Sequence, residues 1–154
     1  MRKIAVLAWM SLDGVFDADT MAEYFLPFHS DERGNYIRDC ILECDDYLLG
    51  RVTYEMLAPH WSPLKNNEMG VADKLNSVSK VVVSSTLKKA DWNNSTIIKK
   101  DVVNEITSLK RKPGKDILIA GSATLVKSLL EAGLIDEFRF LVHPSYYGKW
   151  KTVF

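Results

Sequence analysis

The residues best suited to chemistry stand in four clusters, each directly after an apolar run. Gly121-Ser122-Ala123-Thr124 separates the run DILIA from a segment carrying Leu125, Val126, Leu129 and Leu130 at helical spacing. The first N–H groups of a helix lack intrahelical partners and carry partial positive charge, and glycine lets an anion approach the backbone. That arrangement suits a dinucleotide pyrophosphate; a serine N-cap after a tight turn is the competing reading. In Gly50-Arg51-Val52-Thr53, Arg51 falls where a helix begins, the end that disfavours a cation. A residue set against its local preference points to a ligand, and a guanidinium fork beside the Thr53 hydroxyl matches a phosphate. An exposed arginine paired with Asp45, Asp46 or Glu55 reads equally well.

Ser84-Ser85-Thr86 follows the β-branched run KVVV. Three hydroxyls with their backbone N–H groups can ligate a 2′-phosphate, the group that distinguishes NADPH from NADH, and Lys88 and Lys89 lie close enough in sequence to add charge. Seen alone, the same residues are ordinary turn formers. Ser11-Leu12-Asp13-Gly14 follows the first apolar run and puts an acidic residue in a glycine turn. Asp13 there either faces a substrate hydroxyl or provides a proton, or it closes an Asx turn. An acid role near neutral pH requires its pKa to be raised by burial.

These clusters need elements to position them, and the chain supplies strands alternating with helices. KIAVLAWM is nearly all apolar, as in a strand covered on both faces. Helices are expected over 31–44, over 53–58 with Pro59 as the stop, and over 71–78, with strands at 45–50 and 80–84. A strand at 95–99, a helix at 102–112, the strand DILIA and a helix to Ala132 capped by Gly133 follow. DEFRFLVH, 136–143, is the last readable strand. Alternation of this kind implies an α/β domain with a mainly parallel sheet, whose ligands sit beyond the carboxyl ends of the strands.

The bulk numbers fit one globular domain spanning 1–154. Apolar residues make up 47% and charged residues 26%, and twenty basic side chains balance twenty acidic ones. No global field therefore recruits nucleic acid or an acidic membrane surface. No apolar run approaches membrane-spanning length, and Asp13 interrupts the N-terminal segment early, so a cytoplasmic protein is expected. Cys40 and Cys44 share a helix face and suit core packing, while His29, His60 and His143 lack ligand spacing, so no metal site is expected.

In order, AWMSLDG at 8–14, LLGRVTYE at 48–55, VVSSTL at 82–87, IAGSATL at 119–125 and LIDEFRFLVHP at 134–144 resemble the dihydrofolate-reductase-like family. Within it, the likeness is to the reductase domain of the bifunctional riboflavin-biosynthesis deaminase/reductase and its small stand-alone bacterial relatives. The resemblance implies a twisted, mainly parallel sheet with flanking helices, and NADPH bound in extended form along the strand ends. It implies that Arg51, Thr53, Ser84 and Ser85 meet the adenosine phosphate portion. Gly121, Ser122, Ala123 and Thr124 would hold the pyrophosphate, with Ala8 near the nicotinamide and Asp13 on the substrate side. Hydride transfer to a small substrate and a homodimer are implied too. A catalytically silent NADPH-binding or dimerisation module, or a folate reductase, are the alternatives. The Trp-x-x-Pro stretch of folate reductases is missing from FDADTMAEYFLPFHSDERG, where Glu23 or Asp31 are the acidic candidates for the pocket. The tail HPSYYGKWKTVF replaces the glycine-rich turn and further strand usual in relatives, which predicts an unpaired sheet edge.

Overall fold

A computed structural model describes residues 1–16 and 25–148. Six strands, all parallel, form one sheet in the order β4-β3-β2-β5-β1-β6. They are β1 Ile4–Ser11, β2 Asp46–Gly50, β3 Ser79–Val83, β4 Ser95–Ile98, β5 Ile117–Ala120 and β6 Glu137–His143. The helices are α1 Asp31–Glu43, α2 Arg51–Trp61, α3 Ala72–Ser77, α4 Val102–Arg111 and α5 Ala123–Glu131. None of these helices is long and apolar enough to cross a membrane.

Why β1 reads as an unbroken apolar run is now plain: both sheet faces are covered. Ala5 and Leu7 join Tyr47, Leu49 and Leu118 in one core, closed by Cys40, Ile41 and Cys44 of the α1 side, Tyr54 of α2 and Leu75 of α3. Ile4, Val6 and Ala8 join Leu48, Ile117 and Ile119 in the other, closed by Ile106 and Leu109 of α4 and Leu125, Val126 and Leu129 of α5. The paired cysteines are thus buried and unbridged, as their helical spacing suggested.

This sorting of helices creates the one crevice that matters. β2 and β5 are neighbours, with Leu48 opposite Ile119, yet the helices that follow them pack on opposite faces of the sheet. The chain therefore diverges just beyond Gly50 and Ala120, and a crevice opens at the carboxyl ends of the two strands.

One expected boundary is wrong. Pro59 does not stop the helix after β2 but lies inside α2, which starts at Arg51 and runs on to Trp61. A proline late in a helix removes a single i→i−4 bond, and the packing of Leu57, Ala58 and Trp61 against the core holds the last turn in place. Among the described residues β6 pairs with β1. Of the tail residues, Tyr147 is described, whereas Lys149 and Trp150 lie outside the described residues.

Lys80 on β3 is the largest fully buried side chain among the described residues. Its ammonium donates to the carbonyls of Leu75 at 2.6 Å and Val78 at 2.8 Å, at the C-terminal end of α3, and lies over the Trp92 ring at 4.6 Å. A cation favours a helix C-terminus, yet burial still pulls the Lys80 pKa from 10.5 down to about 8. Between these values the unfolded chain binds more protons than the folded one, so this group makes stability rise with pH. The unfolding free energy of the wild type minus that of Lys80→Met, from urea melts, should grow from pH 8 to 10.5. A difference that stays flat would contradict the buried ammonium.

Candidate functional site: a crevice between two helix N-termini

The crevice is a cavity of about 690 Å³ at the carboxyl ends of the sheet. Gly50, Arg51, Val52 and Thr53 form one wall, and Gly121, Ser122, Ala123 and Thr124 the wall opposite. Ser84, Ser85 and Thr86 close one end, and Trp9, Phe16, Tyr47 and Leu57 line the cavity as well. Three of the four clusters read from the sequence therefore face the same space.

The two walls are stitched together by Ser122. Gly50 N–H donates to Ser122 Oγ at 2.8 Å, and the Thr53 hydroxyl lies 2.8 Å from the same oxygen. Consequently Ser122 does not cap its own helix: neither α2 nor α5 has a side-chain N-cap bond. The open N–H groups of two helix starts are left at one cavity, which is the chemistry an anion needs.

Backbone geometry enforces this closeness. Gly121 and Ser122 are both left-handed, at φ +73° and +65°; for serine that conformation is uncommon, and strain of this kind collects at functional sites. A Cβ on Gly50 would come within 2.9 Å of Ser122 Oγ, and one on Gly121 within 3.1 Å of Thr53 Oγ1. Glycine at both positions thus lets the two walls meet.

Arg51 donates to Glu55 Oε2 at 2.6 Å, one turn along α2, with both side chains about half exposed. Of the three acidic partners the sequence offered, Glu55 is the one used. Asp46 instead holds Arg2 at 2.6 Å, and Asp45 accepts from the Lys115 N–H.

The remaining candidates fall elsewhere. Ala8 is buried in the core on the α4–α5 face and does not line the cavity, whose wall is formed by the next side chain, Trp9. Asp13 does not line it either. Its carboxylate accepts from Ser11 Oγ at 2.6 Å and from the N–H groups of Tyr147 at 3.1 Å and Gly148 at 2.7 Å. These donors, Ser11 first and Gly148 next, lower its pKa, the reverse of what a general acid at neutral pH requires. Asp31 is exposed in the first turn of α1, and Glu23 lies outside the described residues. Lys89 pairs with Asp91 at 2.6 Å, and neither it nor Lys88 lines the cavity.

Sequence reasoning missed Lys99 and Trp9. Lys99 lines the cavity because Ser84 N–H donates to Ile98 O at 3.0 Å, which carries the β3–β4 pairing one step past the strands. The end of that strand was legible; its partner was not. Trp9 was hidden inside an apolar run whose two ends differ only in what covers them.

Comparison with known proteins settles the family. The model of the RibD C-terminal domain matches residues 2–154. The chain belongs to that family. The ordered motifs implied this membership. The uncharacterized protein YyaP of Bacillus subtilis (strain 168) is 31% identical over 121 residues, which cover 75% of this chain and 62% of that protein. The chain thus spans under two thirds of that relative's length. Among solved structures, a protein from Shewanella sp. PV-4 provisionally assigned to riboflavin biosynthesis superposes with a TM-score of 0.69 at 19% identity, over 98% of this chain and 82% of that one. Schistosoma mansoni dihydrofolate reductase does so at 0.64 and 18% identity, over 97% and 79%. Both likenesses concern the fold, which is dihydrofolate-reductase-like.

Within this RibD-type domain, Asp13 clasps the segment after β6 to the loop after β1. Because its pKa is lowered in the fold, the contribution of this clasp is full above the ordinary value of 3.8 and fades as pH falls through the folded value. Asp13→Asn should therefore speed amide exchange of Tyr147 and Gly148 at pH 7, while the wild type should show the same loosening only in acid. Unchanged exchange in the variant would contradict the clasp.

Proposed function

We propose that this chain binds NADPH along the crevice and uses it to reduce a small substrate. The observation that carries the reading is the meeting of two helix N-termini, those of α2 and α5, without side-chain caps at one cavity. Glycines on both walls let the two helix starts approach closely enough to address one anion together. The residues fit a pyrophosphate for that reason, and the cations among the described lining residues, Arg51 and Lys99, suit the remaining phosphate charge.

When bound, NADPH supplies the hydride. The chain's own residues bind and orient. Gly121, Ser122, Ala123 and Thr124, with Gly50 opposite, take the pyrophosphate side, and Arg51 and Thr53 with the Ser84–Thr86 turn take the adenosine phosphate end. Trp9, Phe16 and Leu57 are left for the reacting end, where an apolar wall excludes water from the transfer. A phosphoribosylamino-pyrimidine, as in the riboflavin pathway, or a pterin-like ring is the substrate class we assign on family grounds. Asp13 organises the loop beside β1 and reaches the reaction only through that loop.

We also assign the chain to a homodimer on family grounds. Sedimentation should then give twice 17.5 kDa; a monomer across the micromolar range would remove the dimer.

Titration of the protein with NADPH should quench tryptophan fluorescence saturably, because Trp9 lines the cavity. Gly121→Val should weaken that binding at least tenfold, since its side chain would collide with Thr53 and occupy a left-handed position. Loss of NADPH absorbance in a screen of oxidised pyrimidine and pterin substrates would complete the case. Absence of any NADPH-dependent change in fluorescence would overturn the reading.

A further inference from the structure

A second cluster adjoins the cavity's apolar wall and is centred on one guanidinium. Arg33, in the first turn of α1, reaches back to the segment that precedes its own helix. Its Nη1 donates to the carbonyls of Phe25 at 2.6 Å and Phe28 at 3.0 Å, and its Cζ stands 3.9 Å from the centre of the Phe25 ring. That ring lies 5.2 Å from the ring of Trp9, which lines the cavity. The turn Leu26–Phe28 has no buried residue, and Leu26 and Phe28 are exposed. Apolar burial therefore does little to hold it, and hydrogen bonds from a charged donor are the stronger tether. Keeping the arginine here is unfavourable in one respect: its Nε is buried with no hydrogen-bond partner among the described residues. A fold carries such an N–H only where the other contacts of the side chain outweigh it.

The same guanidinium faces two histidines. His143, at the end of β6, is buried; its Nε2 lies 3.4 Å from Arg33 Nη1 and its Nδ1 3.3 Å from the Met10 carbonyl oxygen on β1. An arginine offers only protons, so Nε2 turns its lone pair to Arg33, and Nδ1 carries the proton that the Met10 carbonyl accepts. That is the neutral imidazole. A second proton would have to enter at Nε2, against a cation and away from water. Burial first, and then the Arg33 charge, hold the His143 pKa below 6.5. The His143 ring also packs 5.7 Å from that of Phe25 and 6.3 Å from that of Phe28, and so meets both ends of the turn. The second histidine, His29, is exposed, with Nδ1 3.2 Å from Arg33 Nη2. Asp31 and Glu32, the acidic residues of the same helix turn, are exposed as well.

We propose that Arg33 is a positioning residue for Trp9 and forms, with His143, a latch that is closed at neutral pH and opens in acid. Closed, the guanidinium ties down the turn from Phe25 to Phe28, and Phe25 backs the Trp9 ring as a wall of the cavity. A proton on Nε2 sets two cations 3.4 Å apart where little water screens them. The guanidinium then leaves, with the turn it holds. The crevice loses the backing of its apolar wall while the helix N-termini stay as they are. This goes beyond the dinucleotide reading and does not depend on it.

The test is fluorine NMR of the whole chain labelled with fluorotryptophan, the Trp9 line being identified by its loss in Trp9→Phe. Between about pH 7 and 5, the wild-type Trp9 line should shift through one transition centred below 6.5. His143→Gln, which keeps a donor and an acceptor but cannot titrate, should abolish that transition. Arg33→Met, which keeps an apolar stem and removes the donors, should place the Trp9 line at neutral pH where the wild type has it in acid. His29→Ala should leave the transition intact. The Trp92 line, from a ring packed on Lys80 and Tyr54, should stay in place throughout and so reports an intact core. A wild-type Trp9 line that does not move would overturn the latch. So would a transition that survives in His143→Gln or disappears in His29→Ala, or a Trp9 line indifferent to Arg33→Met. Should Arg33→Met fail to fold, the two histidine variants still decide. No dinucleotide is added, so failure here leaves the proposed function standing.

Discussion

The site depends on one serine oxygen shared between two helix starts. Ser122 Oγ takes the Gly50 N–H and lies within hydrogen-bonding distance of Thr53 Oγ1, and so draws the beginning of α2 against the beginning of α5. That closeness is possible only because Gly50 and Gly121 have no Cβ, and because the backbone tolerates a left-handed serine. A serine that caps its own helix would satisfy one N–H locally. Spent across the crevice instead, the same oxygen leaves both helix N-termini open to a ligand.

The sheet order is what makes this arrangement available. β2 and β5 are adjacent while the helices after them leave to opposite faces. Between diverging helices there is room for a ligand that a continuous helix layer would fill with side chains. The two cores hold the strands from both sides, so the strand ends are rigid where they meet the crevice. Charge is arranged to match. The chain is neutral as a whole, yet the cavity's charged lining among the described residues is cationic, and acidic residues such as Asp46 and Asp136 are paired away from it.

Asp13 shows how a residue with a plausible chemical role can be drawn into architecture. An acidic residue after the first strand of a reductase-type domain invites a proton-transfer role. In the fold it accepts three hydrogen bonds and ties the segment after β6 to the loop after β1. Those donors stabilise the charged form and take it out of acid chemistry at neutral pH. Lys99 is the converse case: a lysine at a strand end with nothing to mark it in sequence, which the edge pairing of β4 places at the mouth of the site.

Much of this protein was legible in its amino-acid order. Alternating apolar and amphipathic segments specify a parallel α/β sheet, because a strand buried on both faces must be apolar throughout and its covering helices must be apolar on one side. The motifs around Gly50, Ser84 and Gly121 were legible for a local reason as well: glycine and hydroxyl residues directly after a strand mark a backbone that turns at the sheet's carboxyl edge. Only the tertiary structure decided which of these ends share one space, that Ser122 bonds across the crevice, that Glu55 holds Arg51, and that Lys99 lines the cavity while Ala8 and Asp13 do not. Such facts depend on strand order and register, which join residues far apart in the chain. Periodicity reports what a residue's own element needs, and carries no record of the element beside it.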